Sequence, residues 1–143
     1  MIVFIYGTTA EAIKIAPVIR RLRDRGIATQ QWVTMQHTDA LVKVMGQLGL
    51  GEPDIVIATG ARGRPLRGTK DVVTWGMSVA GWLRRNRKRL KASLPANTVI
   101  VVHGDTMTSV VGAFIAKRLG LDCAPIEAGL RSGNWRHPFP EEL

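Results

Sequence analysis

Short runs of apolar, largely β-branched residues constrain the fold of this chain more than any other feature. Residues Ile2 to Tyr6, Thr98 to Val102 and Cys123 to Ile126 form such runs, which are typical of strands buried on both faces. Two less apolar strands are predicted at Thr29 to Thr34 and Asp54 to Ala58. Because strands buried on both faces need a cover on each side, the runs predict a parallel sheet covered by helices.

Helical periodicity fills the intervals between these runs. A first helix is predicted from Ala10 to Arg25, and Gly26 after it is a typical helix stop. Further helices are predicted around Leu41 to Leu48, from Val72 to Lys91 and around Val110 to Leu119. This alternation of strands and helices predicts an α/β fold, with a parallel sheet and helices on both of its faces.

Length and composition limit the classes of protein. A chain of 143 residues, 45% of them apolar, predicts one domain with a core. No apolar run approaches the ~18 residues that span a bilayer, and Met1 to Val3 begins a strand without a basic leader, so we expect a cytoplasmic protein. The single cysteine, Cys123, excludes an intramolecular disulfide and is expected to be a small buried hydrophobic residue.

The positive charge is concentrated in one segment. Between Arg62 and Lys91 there are ten Lys and Arg and one acid, so this segment's net charge of +9 equals that of the whole chain. A basic helix face can bind nucleic acid or anionic lipid. However, aromatic residues are few and no nucleic-acid motif is present, so charged side chains exposed to solvent at a helix end are the preferred interpretation. The alternative is that the arginines of the loop before this helix contact a diphosphate.

A first candidate site residue is Asp105. It stands at the turn between the Thr98 to Val102 strand and the next helix, and such turns line the ligand crevice of open parallel sheets. The alternative role is capping of that helix.

Carboxylates recur after the next strand and in a proline-rich loop. Glu127 follows the Cys123 to Ile126 run, and an ion pair with Arg131 is its simpler explanation. Glu141 and Glu142 follow two prolines, and their alternative is solvated charge before a helix.

The segments HGDT from His103, EAGLRSG from Glu127 and PFPEE from Pro138 resemble, in order and spacing, the non-hydrolysing UDP-N-acetylglucosamine 2-epimerases. The opening segment IYGTTAEAIKIAPVI resembles the first motif of that family, whereas the middle third of the chain matches less well. The family has two Rossmann-like domains in a GT-B-like architecture, with the substrate in the cleft between them. The resemblance implies that residues 1–143 are an incomplete N-terminal Rossmann-like domain, and that the second domain and its catalytic histidine lie outside this chain.

The resemblance also implies a reaction, the interconversion of UDP-GlcNAc and UDP-ManNAc. UDP leaves with oxocarbenium character at C1, a glycal forms, and UDP adds back with a proton delivered to the other face. The reaction needs a base, an acid and a carboxylate near the cationic carbon, and the resemblance assigns these functions to Asp105, Glu127 and Glu141. Which carboxylate takes the proton and which returns it stays open.

Other motif residues are implied to bind ligands. Gln36 and His37 resemble part of a regulatory substrate site, with a cap or loop histidine as the alternative for His37. Where the family usually has an arginine that contacts the nucleotide, this chain has Thr9, which lacks the charge and the five N–H donors. The residues implied to bind the UDP-sugar are Gly7, Thr8, Thr9, Glu11, His103, Arg131 and Glu142. The glycine turn also leaves backbone N–H groups at a helix N-terminus, which suits an anion, although a plain βα turn explains it equally well.

Three functions follow as hypotheses. The leading one is the epimerase described above, a homodimer at full length, with no cofactor, no metal, no membrane and no nucleic acid as partner, and with no activity in this fragment alone. A hydrolysing relative would instead release UDP and N-acetylmannosamine. A non-catalytic module that binds a nucleotide sugar or nucleic acid is the third, and Thr9 and the basic segment favour it slightly.

Overall fold

The computed structural model describes residues 1–34, 38–58, 69–104 and 106–127, in which strands and helices alternate as predicted. The ends of the elements differ from the predicted ends by a few residues, most at the start of the third helix and in the short third strand. The elements are β1 Ile2–Tyr6, α1 Thr9–Asp24, β2 Thr29–Val33, α2 Thr38–Gln47, β3 Ile55–Val56, α3 Thr69–Ser93, β4 Val99–His103, α4 Met107–Leu119 and β5 Asp122–Ile126.

All five strands are parallel and lie in the order β3-β2-β1-β4-β5. The central strand β1 pairs with β2 on one side and β4 on the other, so that Ile2 faces both Thr29 and Val99. The direction of chain progression reverses at β1, which makes the carboxyl ends of β1 and β4 the topological switch point where such sheets bind ligands. We call this side of the sheet the carboxyl edge and the opposite side the amino edge.

Two apolar clusters cover the two faces of the sheet. One contains buried residues of α1 and α2, including Ile15, Ile19 and Leu41, against the Phe4 face of β1. The other contains residues of α3 and α4 against the Val3 and Ile5 face of the same strand. Alternate residues of one central strand therefore belong to different cores, and the prediction of helices on both faces is confirmed.

The tryptophans of α3 pack against the sheet, as predicted. Trp75 is buried, and its Nε1 donates to the Thr34 carbonyl oxygen over 3.4 Å. Trp82 contacts Trp32 edge to face, with the ring centroids 6.1 Å apart. These indoles are part of the core and stabilise the packing of α3 on β2.

The prediction that Cys123 is buried is wrong. Its strand, β5, pairs with β4 along one side only, and Cys123 is exposed. The apolar run predicted the strand correctly but not its place in the sheet. In the part of the chain described, β5 is an edge strand, and residues of an edge strand lack a second strand neighbour.

Gly112 sets the distance between α4 and the sheet. A Cβ atom at this position would lie 2.2 Å from Val102 Cγ1, far inside van der Waals contact. Because the helix approaches β4 this closely, the start of α4 and the end of β4 are held together at the carboxyl edge.

Candidate functional site

The carboxylate of Glu11 organises the turn between β1 and α1. Glu11 is 2% exposed, and its Oε2 accepts hydrogen bonds from the backbone N–H groups of Gly7 and Thr8, each over 2.8 Å. The Thr8 side chain in turn accepts from the Glu11 backbone N–H over 3.3 Å. This is a capping box, which satisfies donors at the start of α1 and accounts for the sharp start of the helix.

The second oxygen of the same carboxylate links this turn to its neighbour across the switch point. Thr106 Oγ1 donates to Glu11 Oε1 over 2.6 Å. Thr106 occupies the N-cap position of α4, but its side chain makes no capping hydrogen bond there. The Thr106 hydroxyl therefore links the two turns instead of capping α4. Capping of this helix was the alternative role predicted for Asp105, but the N-cap position is that of Thr106.

This geometry changes what the first turn offers to a ligand. The two backbone N–H groups of Gly7 and Thr8 already have an internal carboxylate as acceptor. An anion bound against them would meet the negative charge of Glu11. The turn thus has the structure of a self-capped βα turn rather than of an open phosphate cradle.

A second contact across the switch point joins the ends of β2 and α4. The hydroxyls of Thr34 and Thr108 lie 3.0 Å apart, and both side chains are buried. Together with the Glu11 contact, this hydrogen bond fixes the start of α4 relative to both halves of the sheet.

Three charged or titratable side chains meet at the end of β5. Glu127 Oε2 lies 2.6 Å from Lys14 Nζ and 3.3 Å from His103 Nε2. Lys14 comes from α1, His103 from the end of β4, and Glu127 from the residue after β5. Three elements that are distant in sequence thus converge on one carboxylate at the carboxyl edge.

Exposure differs sharply within this cluster. The side chains of Lys14 and Glu127 are 53% and 51% exposed, whereas that of His103 is only 7% exposed. The carbonyl oxygen of His103 accepts from Ser109 Oγ over 2.8 Å, which anchors this residue to α4. The histidine is therefore the fixed wall of the cluster, and the carboxylate and ammonium face outward.

The cluster favours the ionised form of Glu127. The hydrogen bond from Lys14 lowers the pKa of the Glu127 carboxyl below its ordinary value; burial acts in the opposite direction, and the charges of Lys14 and His103 lower it further. A carboxylate in this state is a weaker base than an ordinary one, and it is suited to face a developing positive charge.

The backbone of Glu127 is unusual. Its φ is +53°, in the left-handed region, which non-glycine residues seldom adopt. Such conformations cluster at functional sites, where the surrounding structure holds them in place.

The structure brings together some of the predicted site residues. Thr8, Glu11, His103 and Glu127 lie at the carboxyl edge, as the sequence predicts. The predicted Arg131 partner of Glu127 lies outside the described residues, and the partner observed is Lys14. The other predicted site residues outside the described residues are Asp105, Glu141, Glu142, Gln36 and His37.

Sequence reasoning missed Lys14, Thr106 and Thr108. Helical periodicity placed Lys14 on the solvent side of α1. The structure confirms that Lys14 is exposed, but the periodicity gave no sign of its ion pair with Glu127. The signal for Lys14 was its place inside the opening motif, three residues after Glu11 and so on a neighbouring part of the helix surface.

Comparison with known proteins decides the family. Residues 20–143 match the family profile described as UDP-N-acetylglucosamine 2-epimerase. The chain belongs to the UDP-N-acetylglucosamine 2-epimerase family. The resemblance expected from the sequence motifs is confirmed.

Curated members of the epimerase family are similar over nearly the whole chain. A UDP-N-acetylglucosamine 2-epimerase of Salmonella borreze is 33% identical over 142 residues, which cover 99% of this chain and 34% of that protein. The enzyme of the same name from Bacillus subtilis is 33% identical over 140 residues, 97% of this chain and 34% of that protein. The chain thus spans about a third of the length of the curated relatives it matches.

Solved structures of epimerases have the same fold. The UDP-GlcNAc 2-epimerase of Neisseria meningitidis bound to UDP-GlcNAc superposes with a TM-score of 0.73 at 29% identity, over 99% of this chain and 36% of that one. The Methanocaldococcus jannaschii enzyme in complex with UDP-GlcNAc and UDP gives 0.70 at 32% identity, over 99% and 35%. The predicted fold class, a Rossmann-like parallel sheet from a GT-B-like architecture, is confirmed.

Two kinds of feature are absent from the described residues. No helix among them is long and apolar enough to cross a membrane. No group of three His, Cys, Asp or Glu side chains among them could hold a metal ion.

Proposed function

We propose that this chain is the N-terminal domain of an enzyme that interconverts UDP-GlcNAc and UDP-ManNAc. Family membership, and relatives whose names describe this epimerisation, support the reaction. The observation that carries the proposal is the convergence of Lys14 and His103 on Glu127 at the ligand-binding edge of the sheet.

The chemistry at C2 explains why such a cluster is useful. The C2 proton of the sugar is not acidic until departure of UDP builds positive charge at C1, after which a glycal forms. Glu127, held ionised by the hydrogen bond from Lys14, is suited to oppose that charge. We propose Asp105 and Glu141 as its catalytic partners, one of them taking the C2 proton and one returning a proton to the opposite face.

The substrate contacts are proposed in two groups. His103, with its buried ring against Glu127, forms the wall of the sugar site, and Arg131 and Glu142 supply further contacts to the substrate. Gly7, Thr8 and Thr9 line the first turn. Because the carboxylate of Glu11 occupies the N–H groups of that turn, we propose that Glu11 supports the turn and that Thr9 contributes at most a hydroxyl contact to the nucleotide.

Assembly, regulation and compartment are proposed from the same resemblance. The active enzyme contains a second domain that closes over the cleft, in keeping with the third of the relatives' length that this chain covers. Gln36 and His37 belong to a regulatory substrate site. The full-length protein is a cytoplasmic homodimer that needs no cofactor.

The test is isotope exchange at C2. The full-length protein that carries this chain is incubated with UDP-GlcNAc in deuterated water, and C2 is followed by proton NMR. We expect deuterium at C2 in both epimers, each still attached to UDP, and no exchange with the 143-residue chain alone. Glu127→Gln and Asp105→Asn should each abolish the exchange, whereas Glu52→Gln, a change at an exposed carboxylate before β3, should not.

The same experiment tests two other functions, and Thr9 in place of the family's arginine favours the second of them, a non-catalytic module. If free UDP and free N-acetylmannosamine accumulate, the protein is a hydrolysing epimerase. If UDP-GlcNAc binds without any exchange, the chain is part of a non-catalytic nucleotide-sugar module. Retained exchange with UDP attached excludes both.

A further inference from the structure

The C-terminal half of α3 carries a dense group of exposed cations that the proposed reaction does not use. Arg87 Nε donates to the Arg118 carbonyl oxygen over 3.0 Å, so the end of α4 lies beside this group and adds its own cations. We call the surface formed by both the basic edge. Its exposed members are Arg84, Arg85, Arg87, Lys88, Arg89, Lys91, Lys117 and Arg118.

The helix dipole accounts for only part of this surface. Cations are favoured in the last turn of a helix, a description that fits Lys91 in α3 and Lys117 and Arg118 in α4. The cations from Arg84 to Arg89 lie before the last turn of α3, where the dipole effect has fallen off. Solvated charge at a helix end, the interpretation preferred from the sequence, therefore does not explain most of the cluster.

The described acids do not balance this charge. Among residues 1–34, 38–58, 69–104 and 106–127, no carboxylate forms an ion pair with the basic edge, and Glu127 pairs instead with Lys14 and His103. Within α3, Arg84 and Lys88 are four residues apart, and so are Arg85 and Arg89. Like charges at this spacing repel each other and destabilise a helix.

The basic edge lies away from the candidate active site. The C-termini of α3 and α4 lead into the amino ends of β4 and β5, whereas Glu11, His103 and Glu127 lie at the carboxyl ends of the strands. A partner bound at the amino edge would leave the cleft open.

A recess lined partly by leucine side chains adjoins the cations. A cavity of about 220 Å³ lies where the ends of α3 and α4 meet, with the Lys91 side chain among its lining groups. Its other lining residues are Leu94, Ala96, Leu119, Gly120 and Leu121. Cations that form no ion pair with a described carboxylate, beside a recess that contains leucine side chains, form an amphipathic surface, which suits an amphiphile better than a purely polar polyanion.

We propose that the basic edge docks the protein reversibly on an anionic lipid bilayer. The cations contact lipid phosphates, the leucine-lined recess takes up apolar parts of the lipid interface, and the carboxyl edge faces away from the membrane. Clusters of several Lys and Arg on an amphipathic helix have this affinity for anionic lipid surfaces.

The same observations argue against nucleic acid as the partner. Single-stranded nucleic acids bind where aromatic side chains stack on bases. The aromatic residues of α3 are Trp75, which is buried, and Trp82, which is packed against Trp32. In α4, the guanidinium of Arg118 covers the ring of Phe114, 4.6 Å from its centroid.

Vesicle binding tests the proposal. The 143-residue chain is mixed at low salt with vesicles of phosphatidylcholine alone or with an equal amount of phosphatidylglycerol, and the bound fraction is measured by co-sedimentation. We expect binding only to the anionic vesicles, falling steeply with added salt. The double variant Lys88→Gln with Lys91→Gln should bind about twenty-five-fold more weakly, at about five-fold for each lysine near the surface.

A matched control keeps the net charge equal. Lys43→Gln with Lys70→Gln also removes two exposed lysines, one from α2 and one from the opposite end of α3, and should bind as the unaltered chain does. An equal loss of binding in the two double variants would overturn the proposal, because it would show an effect of net charge alone. Absence of binding to anionic vesicles at low salt, or tighter binding to generic duplex DNA at the same phosphate concentration, would also overturn it. Circular dichroism of both variants checks that the fold is retained.

Discussion

The carboxyl and amino edges of the sheet hold their polar side chains in two different ways. At the carboxyl edge, Glu11 with Thr106, Thr34 with Thr108, and Lys14 with Glu127 join elements that are far apart in sequence, over distances of 2.6 to 3.0 Å. At the amino edge, the cations of the basic edge are exposed, and among the described residues one side-chain hydrogen bond, from Arg87 to the Arg118 carbonyl oxygen, joins α3 to α4.

The difference separates polar groups that build a site from those that present a surface. Buried hydrogen bonds between elements have few alternatives, so changing one partner leaves the other unpaired and moves a turn. Exposed cations remain hydrated whether or not their neighbours change. Mutations at the two edges should therefore differ in the size and the sign of their effect on stability.

The largest effect is expected from Gly112→Ala, in the helix that reaches both edges. The new Cβ would lie 2.2 Å from Val102 Cγ1, so the helix or the strand must shift. Overpacking of this kind typically costs about 1–3 kcal/mol of the free energy of unfolding, measured by urea denaturation. Gly76→Ala is the control, because nothing lies within 4 Å of its Cβ position in α3, and it should stabilise by about 0.5–1 kcal/mol. Equal effects of the two changes would contradict the close approach of α4 to β4.

The next largest effect is expected from Glu11→Gln at the carboxyl edge. One amide oxygen cannot accept all the hydrogen bonds that the two carboxylate oxygens accept from Gly7, Thr8 and Thr106, and the amide N–H₂ meets other donors. We expect a loss of about 1–3 kcal/mol of the free energy of unfolding, because buried donors lose their acceptor. Glu52→Gln, at an exposed position, should leave the free energy of unfolding unchanged. A similar loss in Glu52→Gln would show that net charge, and not the hydrogen bonds of Glu11, is responsible.

A smaller effect, seen first in the titration of Glu127, is expected from Lys14→Met. Removing the ammonium should raise the pKa of the Glu127 carboxyl towards its ordinary value, measured by NMR titration of the side-chain carbon. Because the folded-state pKa is lowered, the pair stabilises the fold above the ordinary carboxyl pKa, and this contribution is lost as the pH falls through the lowered value. The stability difference between the two proteins should therefore vanish in acid. Lys43→Met should not change the titration, and an unchanged pKa in Lys14→Met would remove Lys14 from the site.

The smallest effect, and one of opposite sign, is expected at the amino edge. Lys88→Gln removes repulsion from Arg84 and Arg85 at helical spacing and should stabilise the chain by a few tenths of a kcal/mol, about 0.2–0.5 for each pair relieved. High salt should abolish the gain, since screening removes the repulsion. Destabilisation in thermal unfolding would mean that this lysine stabilises the fold and that the two edges are alike.

The sequence predicts much of the fold because the signals are local. The runs at Ile2 to Tyr6 and Thr98 to Val102 and the helical periodicity between strands reflect the burial that the structure shows. Cys123 was misplaced because an apolar run indicates a strand, whereas edge or centre depends on which strands pair. For the site, the motifs predicted Glu127 and His103. The contact between Lys14 and Glu127 joins residues 113 positions apart, and a local sequence pattern cannot predict so distant a contact.

The left-handed backbone of Glu127 has a consequence for how this position tolerates change. Glycine adopts a φ of +53° without steric cost, so Glu127→Gly would relax the backbone while it deletes the carboxylate on which Lys14 and His103 converge. Relief of backbone strain alone would favour glycine at this position. A glutamate in this conformation costs some stability but places its carboxylate where Lys14 and His103 converge. This compromise limits how far the turn can be stabilised by engineering without loss of function.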